Sequence, residues 1–289
     1  MKRIYFFSDL HLSDRFQQCT RNWDVCLAAV EEEQPDLVVL GGDLALDDPD
    51  DSEDRKYAHG QISRLTVPWR AVPGNHDVGD APPKPFFGQY VSAGRLKCYR
   101  DLYGFDRWHN RLDSWHLIGL NSLLLGSDLP EEDEQYQWLS SSLRAADKDP
   151  IALFLHKPLC LSTFGEEGIP QTTVSPLGRR RLMGVLAGAN LKFVCSGHLH
   201  RANSLALGGV QMIWAPSLCQ VSMSGTVKRD APALRLRPSV GWISIALDGE
   251  AFSWQFRTEK LIPFDVTDIE KVHRSMRFAP TLGVQPASA

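Results

Sequence analysis

The stretch KFVCSGHLH, residues 192–200, sets an apolar run of strand length directly before a glycine and two histidines spaced two apart. The same pattern recurs along the chain: IYFF before SDLH, LVVL before GGDL, WRAV before PGNHD, WHLIGL before NS, and IALFL before HKP. Each run has the length of a buried strand and stops at a polar cluster. Segments of helical character separate them. Residues 22–33 carry Trp23, Cys26, Leu27 and Val30 at helical spacing, residues 131–143 repeat the pattern with Tyr136, Leu139 and Leu143, and residues 177–186 are a third candidate. Strands alternating with helices predict an α/β architecture with much parallel pairing. Ligands of such sheets bind outside the carboxyl ends of the strands, so polar residues from distant parts of the chain should gather at one edge.

With 289 residues, 43% of them hydrophobic, the chain can bury a large core. One domain is expected over residues 1–265, followed by a loosely held tail over 266–289. After residue 205, VQMIWAP, VGWISIAL and AFSWQFR read as strands separated by LGG and DGE turns, an antiparallel extension of the sheet. Residues 78–112, rich in Pro, Gly and aromatics, read as a long excursion between strands in which specificity is expected to be decided.

The net charge of −4 and pI near 6.1 give no overall cationic field for a nucleic-acid backbone. Six cysteines, at 19, 26, 98, 160, 195 and 219, form no CxxC pair and are expected to be reduced thiols. The opening MKRIYFFSDLHLSD holds too short an apolar segment for a signal-peptide core, and no run approaches the roughly 20 apolar residues of a membrane span. These features lead to the expectation of a soluble cytoplasmic protein with no membrane partner; its oligomeric state stays open.

The residues at the strand ends are Asp9 and His11, Asp43, Asn75, His76 and Asp77, His156, and His198 with His200; five of the nine histidines fall in this set. Carboxylates and imidazoles without thiolate suit Mn, Fe or Zn. One such ion takes four to six ligands, so this supply points to two, with Asp43 able to bridge through its two oxygens. Paired ions of that kind activate water and clamp a phosphoryl group, which indicates phosphoester hydrolysis. Residues two apart in an extended or turning segment can aim at one cation, and glycines 41, 42, 74 and 197 allow tight turns beside it. Asp77 is expected to orient His76 or another ligand by a hydrogen bond.

The ordered series DLH, GD, GNHD, H and GHLH, spread from residue 9 to residue 200, resembles the calcineurin-like metallophosphoesterase superfamily. Any one block is weak; all five in order are highly specific. The resemblance implies two mixed sheets in a sandwich flanked by helices, with a dinuclear centre at the strand ends. It places Asp9, His11, Asp43 and His200 on one metal, and Asp43, Asn75, His156 and His198 on the other. It also implies hydrolysis by metal-activated hydroxide, with His76 contacting the phosphate and protonating the leaving alkoxide, and Asn75 serving as both ligand and phosphate donor. The plan looks like that of class III cyclic-nucleotide phosphodiesterases, which favours a small phosphodiester substrate, cyclic nucleotides included. Many of those enzymes carry a second histidine where this chain has Lys157. A phosphomonoesterase or protein phosphatase shares the motifs. A nuclease is disfavoured by the acidic balance, and a metal-free interaction scaffold by the completeness of the ligand set.

Other features receive plainer readings. DDPDDSED, residues 47–54, lacks the spacing of a calcium loop and reads as a solvated acidic loop. GRRRL, from Gly178, reads as a basic helix face. FFGQYVSAGRLKCYR could stack a base and pair a phosphate, although packing explains its aromatics equally well. His109 is a minority candidate for covering the site.

Overall fold

In β1 (Lys2–Phe7) successive side chains leave on opposite faces, and both faces are apolar. Ile4 and Phe6 enter one cluster with Val39, Phe154, Phe193, Ile213 and Ile245, whereas Tyr5 and Phe7 enter another with Val38, Leu40 and Trp23. A strand buried on both sides needs a layer on each side, and the architecture follows from that. The computed structural model describes residues 1–46, 48–83, 88–168, 171–221, 239–258 and 260–265. The tail expected over 266–289 therefore lies outside the described residues, as do Asp47 of the acidic run and residues 84–87 of the excursion.

The elements run α1 (Gln17–Glu33), β2 (Leu37–Leu40), α2 (Ser52–Ile62), β3 (Trp69–Ala71), α3 (Asn75–Val78), α4 (Ala93–Tyr103), β4 (Trp108–Leu112), β5 (Trp115–Gly119), α5 (Pro130–Ala146) and β6 (Ile151–Phe154). There follow α6 (Pro176–Val185), β7 (Leu191–Ser196), β8 (Asn203–Leu207), β9 (Val210–Trp214), β10 (Gln220–Val221), β11 (Trp242–Asp248), β12 (Ala251–Arg257) and β13 (Phe264–Asp265). One sheet has the order β12-β11-β1-β2-β3 and the other β4-β5-β6-β7-β9-β8, with β10 and β13 forming a small parallel pair. The two large sheets share the cluster containing Phe6 and Phe154, whose ring centroids are 5.6 Å apart. Each fully buried side chain of this size contributes about 1.5–3 kcal/mol. Outside the first sheet lie α1, α2 and α4, through Trp23, Cys26 and Val30, Ala58 and Ile62, and Leu96 and Tyr99. Outside the second lie α5 and α6, through Tyr136, Leu139 and Leu182. This is the expected two-sheet sandwich flanked by helices.

Local chemistry sets the helix ends. Helix α1 stops where Gln34 turns left-handed, with φ 45°, and returns its N–H to the Val30 carbonyl. Helix α5 starts with Pro130 in its first turn, followed by Glu131, Glu132 and Asp133, which complement the positive end of the helix.

Several expectations need correction. The strands after residue 205 do not form one antiparallel extension: β9 runs parallel to β7, whereas β11 and β12 join the other sheet beside β1. The excursion holds α4 and the edge strand β4. The acidic run is no solvated loop, because Asp51 caps α2 by accepting from Glu53 and Asp54 N–H, and the buried Asp54 accepts from Ser13 Oγ and pairs with Arg15. In GRRRL, Arg179 turns inward and donates to the Leu159, Phe164 and Glu166 carbonyls. Cys19 and Cys219 are joined in a disulfide with Cα atoms 5.2 Å apart, so only four of the six cysteines stay free. Among the described residues no helix is long and apolar enough to cross a membrane.

Candidate metal centre

The carboxyl ends of β1, β2, β3, β6 and β7 deliver their following residues to one edge. Backbone bonds tie these loops to one another: Asp9 N–H to Gly42 O and His11 N–H to Asp43 O at 2.9 Å, and Gly197 N–H to His156 O at 2.9 Å. The approach is close enough to need glycine. A Cβ on Gly74 would stand 2.1 Å from Asp43 Oδ1, and one on Gly197 would stand 1.8 Å from Ser8 Oγ. Asp9, His11, Asp43, His198 and His200 all hold positive φ, between 49° and 68°, which costs of order 1–3 kcal/mol for a residue other than glycine. Strain gathered on five neighbouring polar residues marks a place where the fold has been over-determined to aim side chains.

Seven of the nine residues singled out in the sequence meet here in three overlapping groups of ligand atoms, with Asn75 against the His156 ring and Asp77 bonded to the backbone behind Asp43. Asp9, His11 and His200 form one, with His200 Nε2 3.2 Å from Asp9 Oδ1 and 3.3 Å from His11 Nε2. Asp43, His156 and His198 form another: His156 Nε2 lies 3.3 Å from Asp43 Oδ2, 3.1 Å from His198 Nδ1 and 3.1 Å from Asn75 Oδ1. Asp43 also groups with His11 and His76, so its carboxylate stands between the two sets. His76 Nε2 is 3.9 Å from Asp43 Oδ2, its backbone N–H donates to Asp43 Oδ1, and its ring meets His11 edge-on at 5.0 Å.

The outer nitrogens of the histidines fix their tautomers. A carbonyl can only accept, so His11 Nδ1–H donates to Leu46 O, His156 Nδ1–H to Gly41 O and His198 Nε2–H to Gln171 O. Their inner nitrogens face the centre. In the second group His156 Nε2 lies within hydrogen-bond distance of Asp43 Oδ2, Asn75 Oδ1 and His198 Nδ1, and a positive charge at that point, a proton on His156 or a metal ion in its place, satisfies the arrangement. The donor set therefore fits a divalent cation, and the first group fits another.

The titration behaviour has the same origin. Burial and the neighbouring His76 hold His11 down at about 3, and burial with the His156 and Lys157 charges holds His198 well below the usual imidazole range, so both rings are neutral. Burial opposes charge on His156, but Asp43 and Asp9 outweigh it and push it up to about 9. Burial would likewise raise Asp9, yet His200 and His156 hold it at about 2. Asp77 is pushed up to about 6 by burial and the Asp43 charge.

Asp77 accepts from the backbone N–H groups of Gly74 (2.7 Å), Leu44 (3.0 Å) and Ala45 (3.3 Å). Through these bonds it holds the two residues that follow Asp43 and the Gly74 backbone packed against that carboxylate, so of the two expected possibilities, His76 or another ligand, the bonds lead to the ligand Asp43. His109 does not cover the centre, because its Nε2 lies 2.7 Å from His116 Nδ1, within the β4–β5 pair. The carbonyls of Gly41, Leu46 and Gln171 had no signal in the sequence, since any residue supplies one. Lys157 did have one: it departs from the family pattern, and it is buried against Asp80 at 2.6 Å.

Residues 2–202 match the family model described as calcineurin-like phosphoesterase. The chain is 26% identical over 261 residues to a probable cyclic nucleotide phosphodiesterase of Psychrobacter sp. (strain PRwf-1), covering 82% of this chain and 68% of that protein. It is 27% identical over 228 residues to the 3',5'-cyclic adenosine monophosphate phosphodiesterase CpdA of Escherichia coli (strain K12), covering 75% and 76% respectively. Among solved structures, a dimetal phosphatase from Danio rerio superposes with a TM-score of 0.58 at 12% identity, over 89% of this chain and 96% of the other. At that identity the likeness concerns the fold alone. The family uses a dinuclear metal centre, and the grouped carboxylates and imidazoles are candidates for its ligands. With the match spanning all five motif blocks, the chain belongs to the calcineurin-like phosphoesterase family and is a metal-dependent phosphoric ester hydrolase.

Proposed function

We propose that the chain is a phosphodiesterase acting on a small phosphodiester, with two ions held by Asp9, His11, Asp43 and His200 and by Asp43, Asn75, His156 and His198. The observation that carries this reading is the shared position of Asp43 between two convergent donor groups. When bound, Mn, Fe or Zn ions there supply Lewis-acid polarisation of the phosphoryl group and acidify water.

The chain's own residues do the rest. Asn75 turns Oδ1 toward His156 Nε2, which leaves its amide N–H groups for a phosphate oxygen. His76 Nε2 supplies the proton that the departing alkoxide requires, a task suited to an imidazole. Asp77 keeps the Asp43 turn in place through the three backbone N–H bonds.

Two observations favour a diester over a monoester. Lys157, the cation adjoining His156, is already neutralised by Asp80 at 2.6 Å and supplies no uncompensated charge for a phosphate dianion. The bacterial relatives described above are named as cyclic nucleotide phosphodiesterases. Turnover of bis(p-nitrophenyl) phosphate should exceed that of p-nitrophenyl phosphate by the Mn-loaded protein. A strong preference for the monoester would reverse the assignment.

A further inference from the structure

Phe16, Cys19, Leu46 and Cys219 form a buried cluster of their own, separate from the three larger ones, with Phe264 packed against it. The Cys19–Cys219 disulfide lies within this cluster and ties the first turn of α1 to the segment that follows β9. Four buried side chains give little to hold a chain segment in place, whereas a bond across a separation of 200 residues removes much of its freedom.

Both ends of the cluster lead to the first donor group. On one side Leu46 O receives the His11 Nδ1–H at 3.0 Å. On the other, Cys219 N–H donates to Ser217 Oγ, which donates to the Asp9 carbonyl at 2.9 Å, and Leu218 N–H donates to the Ser8 carbonyl at 3.1 Å. Asp9 and His11 are held left-handed, with φ 56° and 49°, a conformation that persists only where the surroundings enforce it. The carbonyls that orient the second group, Gly41 O for His156 and Gln171 O for His198, lie outside the cluster. Asn22, one turn beyond Cys19 on α1, donates to Leu218 O at 2.9 Å, so the segment keeps a hydrogen-bonded tie to the helix when the covalent one is broken.

We propose that the Cys19–Cys219 pair is a redox switch for metal binding: the disulfide clamps Asp9 and His11 for the first ion, and reduction by a dithiol weakens that site while the second keeps its ion. The proposal rests on the two-ion reading above. The step is thiol–disulfide exchange. The S–S bond between Cys19 and Cys219 breaks, one forms within the dithiol, and the two thiol protons of the reductant pass to the two cysteine sulfurs. Both cysteines are fully buried, so the exchange waits on an opening of the segment. Cys26, Cys98, Cys160 and Cys195 are thiols in either state. Loss of one ion leaves no pair to clamp a phosphoryl group, so the reduced protein is the less active form.

Calorimetric titration of Mn into the metal-free protein, oxidised and reduced, reads both sites. Loss of the outer support of a metal ligand costs about 10- to 100-fold in affinity, so reduction should weaken one Mn site at least about tenfold and the other less than about threefold. Reoxidation should restore the wild type, and Cys19→Ser/Cys219→Ser should bind like the reduced form with or without reductant. Two unchanged sites, two equally weakened sites, or a response to reductant in the double variant overturns the proposal. Hydrogen exchange of the metal-free protein, followed by mass spectrometry, asks the same question without ions or turnover. Residues 8–12 should exchange at least about tenfold faster after reduction while residues 154–157 stay unchanged. Equal exchange at residues 8–12 in the two states overturns the clamp, and this comparison stands even where the double variant fails to fold, because it uses wild type alone. If oxidised wild type binds fewer than two ions, the two-ion reading fails, and the exchange experiment then decides whether the disulfide clamps these residues.

Discussion

Replacing Lys157 by Met should destabilise the protein by about 3–5 kcal/mol, because it strands a carboxylate that is 1% exposed. At 2.6 Å and an effective dielectric of 20 the attraction within the Lys157–Asp80 pair is about 6 kcal/mol. Desolvation of several kcal/mol for each ion cancels most of that. The intact pair is therefore worth little net, whereas half of it is costly: Asp80 Oδ1 would retain only the Ala81 N–H, and Oδ2 already has no partner. It follows that Asp80→Asn added to Lys157→Met should recover about half or more of the loss, since the stranded charge is gone. Urea unfolding followed by circular dichroism, with the slope checked for constancy, measures all three variants. A loss under about 1 kcal/mol in the single variant, or a double variant equal to the sum of its parts, would refute the claim that this pair is desolvated and coupled.

His76→Ala should lower kcat by about 10²- to 10⁴-fold while the bound metal content stays at the wild-type value, because it is the His76 backbone N–H that bonds Asp43. Removing the Cys19–Cys219 bond, which closes a loop of separation 200, should destabilise by about 2–5 kcal/mol; wild type in reductant and the Cys19→Ser/Cys219→Ser variant should melt alike. Glu33 is held below the usual carboxylate range chiefly by the Arg257 hydrogen bond, against burial, with Tyr5 and Arg3 adding to it. A lowered folded-state pKa stabilises above the unfolded value of about 4.3 and is lost as pH falls through the folded value. Glu33→Gln should thus cost about 1 kcal/mol at pH 7, and its melting curve should merge with that of wild type in acid below that window.

The strand runs and the polar residues at their ends were legible because two-sided burial writes continuous apolar stretches and because the donors sit immediately afterwards. Helices α1, α5 and α6 were legible from their apolar spacing. Edge strands β4 and β8 were not, since WHNRL and NSLAL are half polar and only partly buried. Helix α4 was hidden because just two of its residues, Leu96 and Tyr99, are buried, too few to write a stripe. Asp51 looked like one more solvated acid, and its capping role depends on where the helix begins. Cys19 and Cys219 carry no spacing signal, because their approach follows from the β9 strand returning its loop to Asp9: Ser217 Oγ donates to the Asp9 carbonyl, and Cys219 N–H bonds Ser217 Oγ. Residue types foretold the candidate ligands, but the carbonyls that set their tautomers belong to the backbone and become visible only in three dimensions.

The central claim is that donors from five loops hold two cations in common through Asp43. Counting metal by plasma mass spectrometry after Mn loading and desalting tests it most directly. The account predicts two ions per wild-type chain and loss of both in Asp43→Ala. One ion or none in wild type, or two retained in Asp43→Ala, would contradict it.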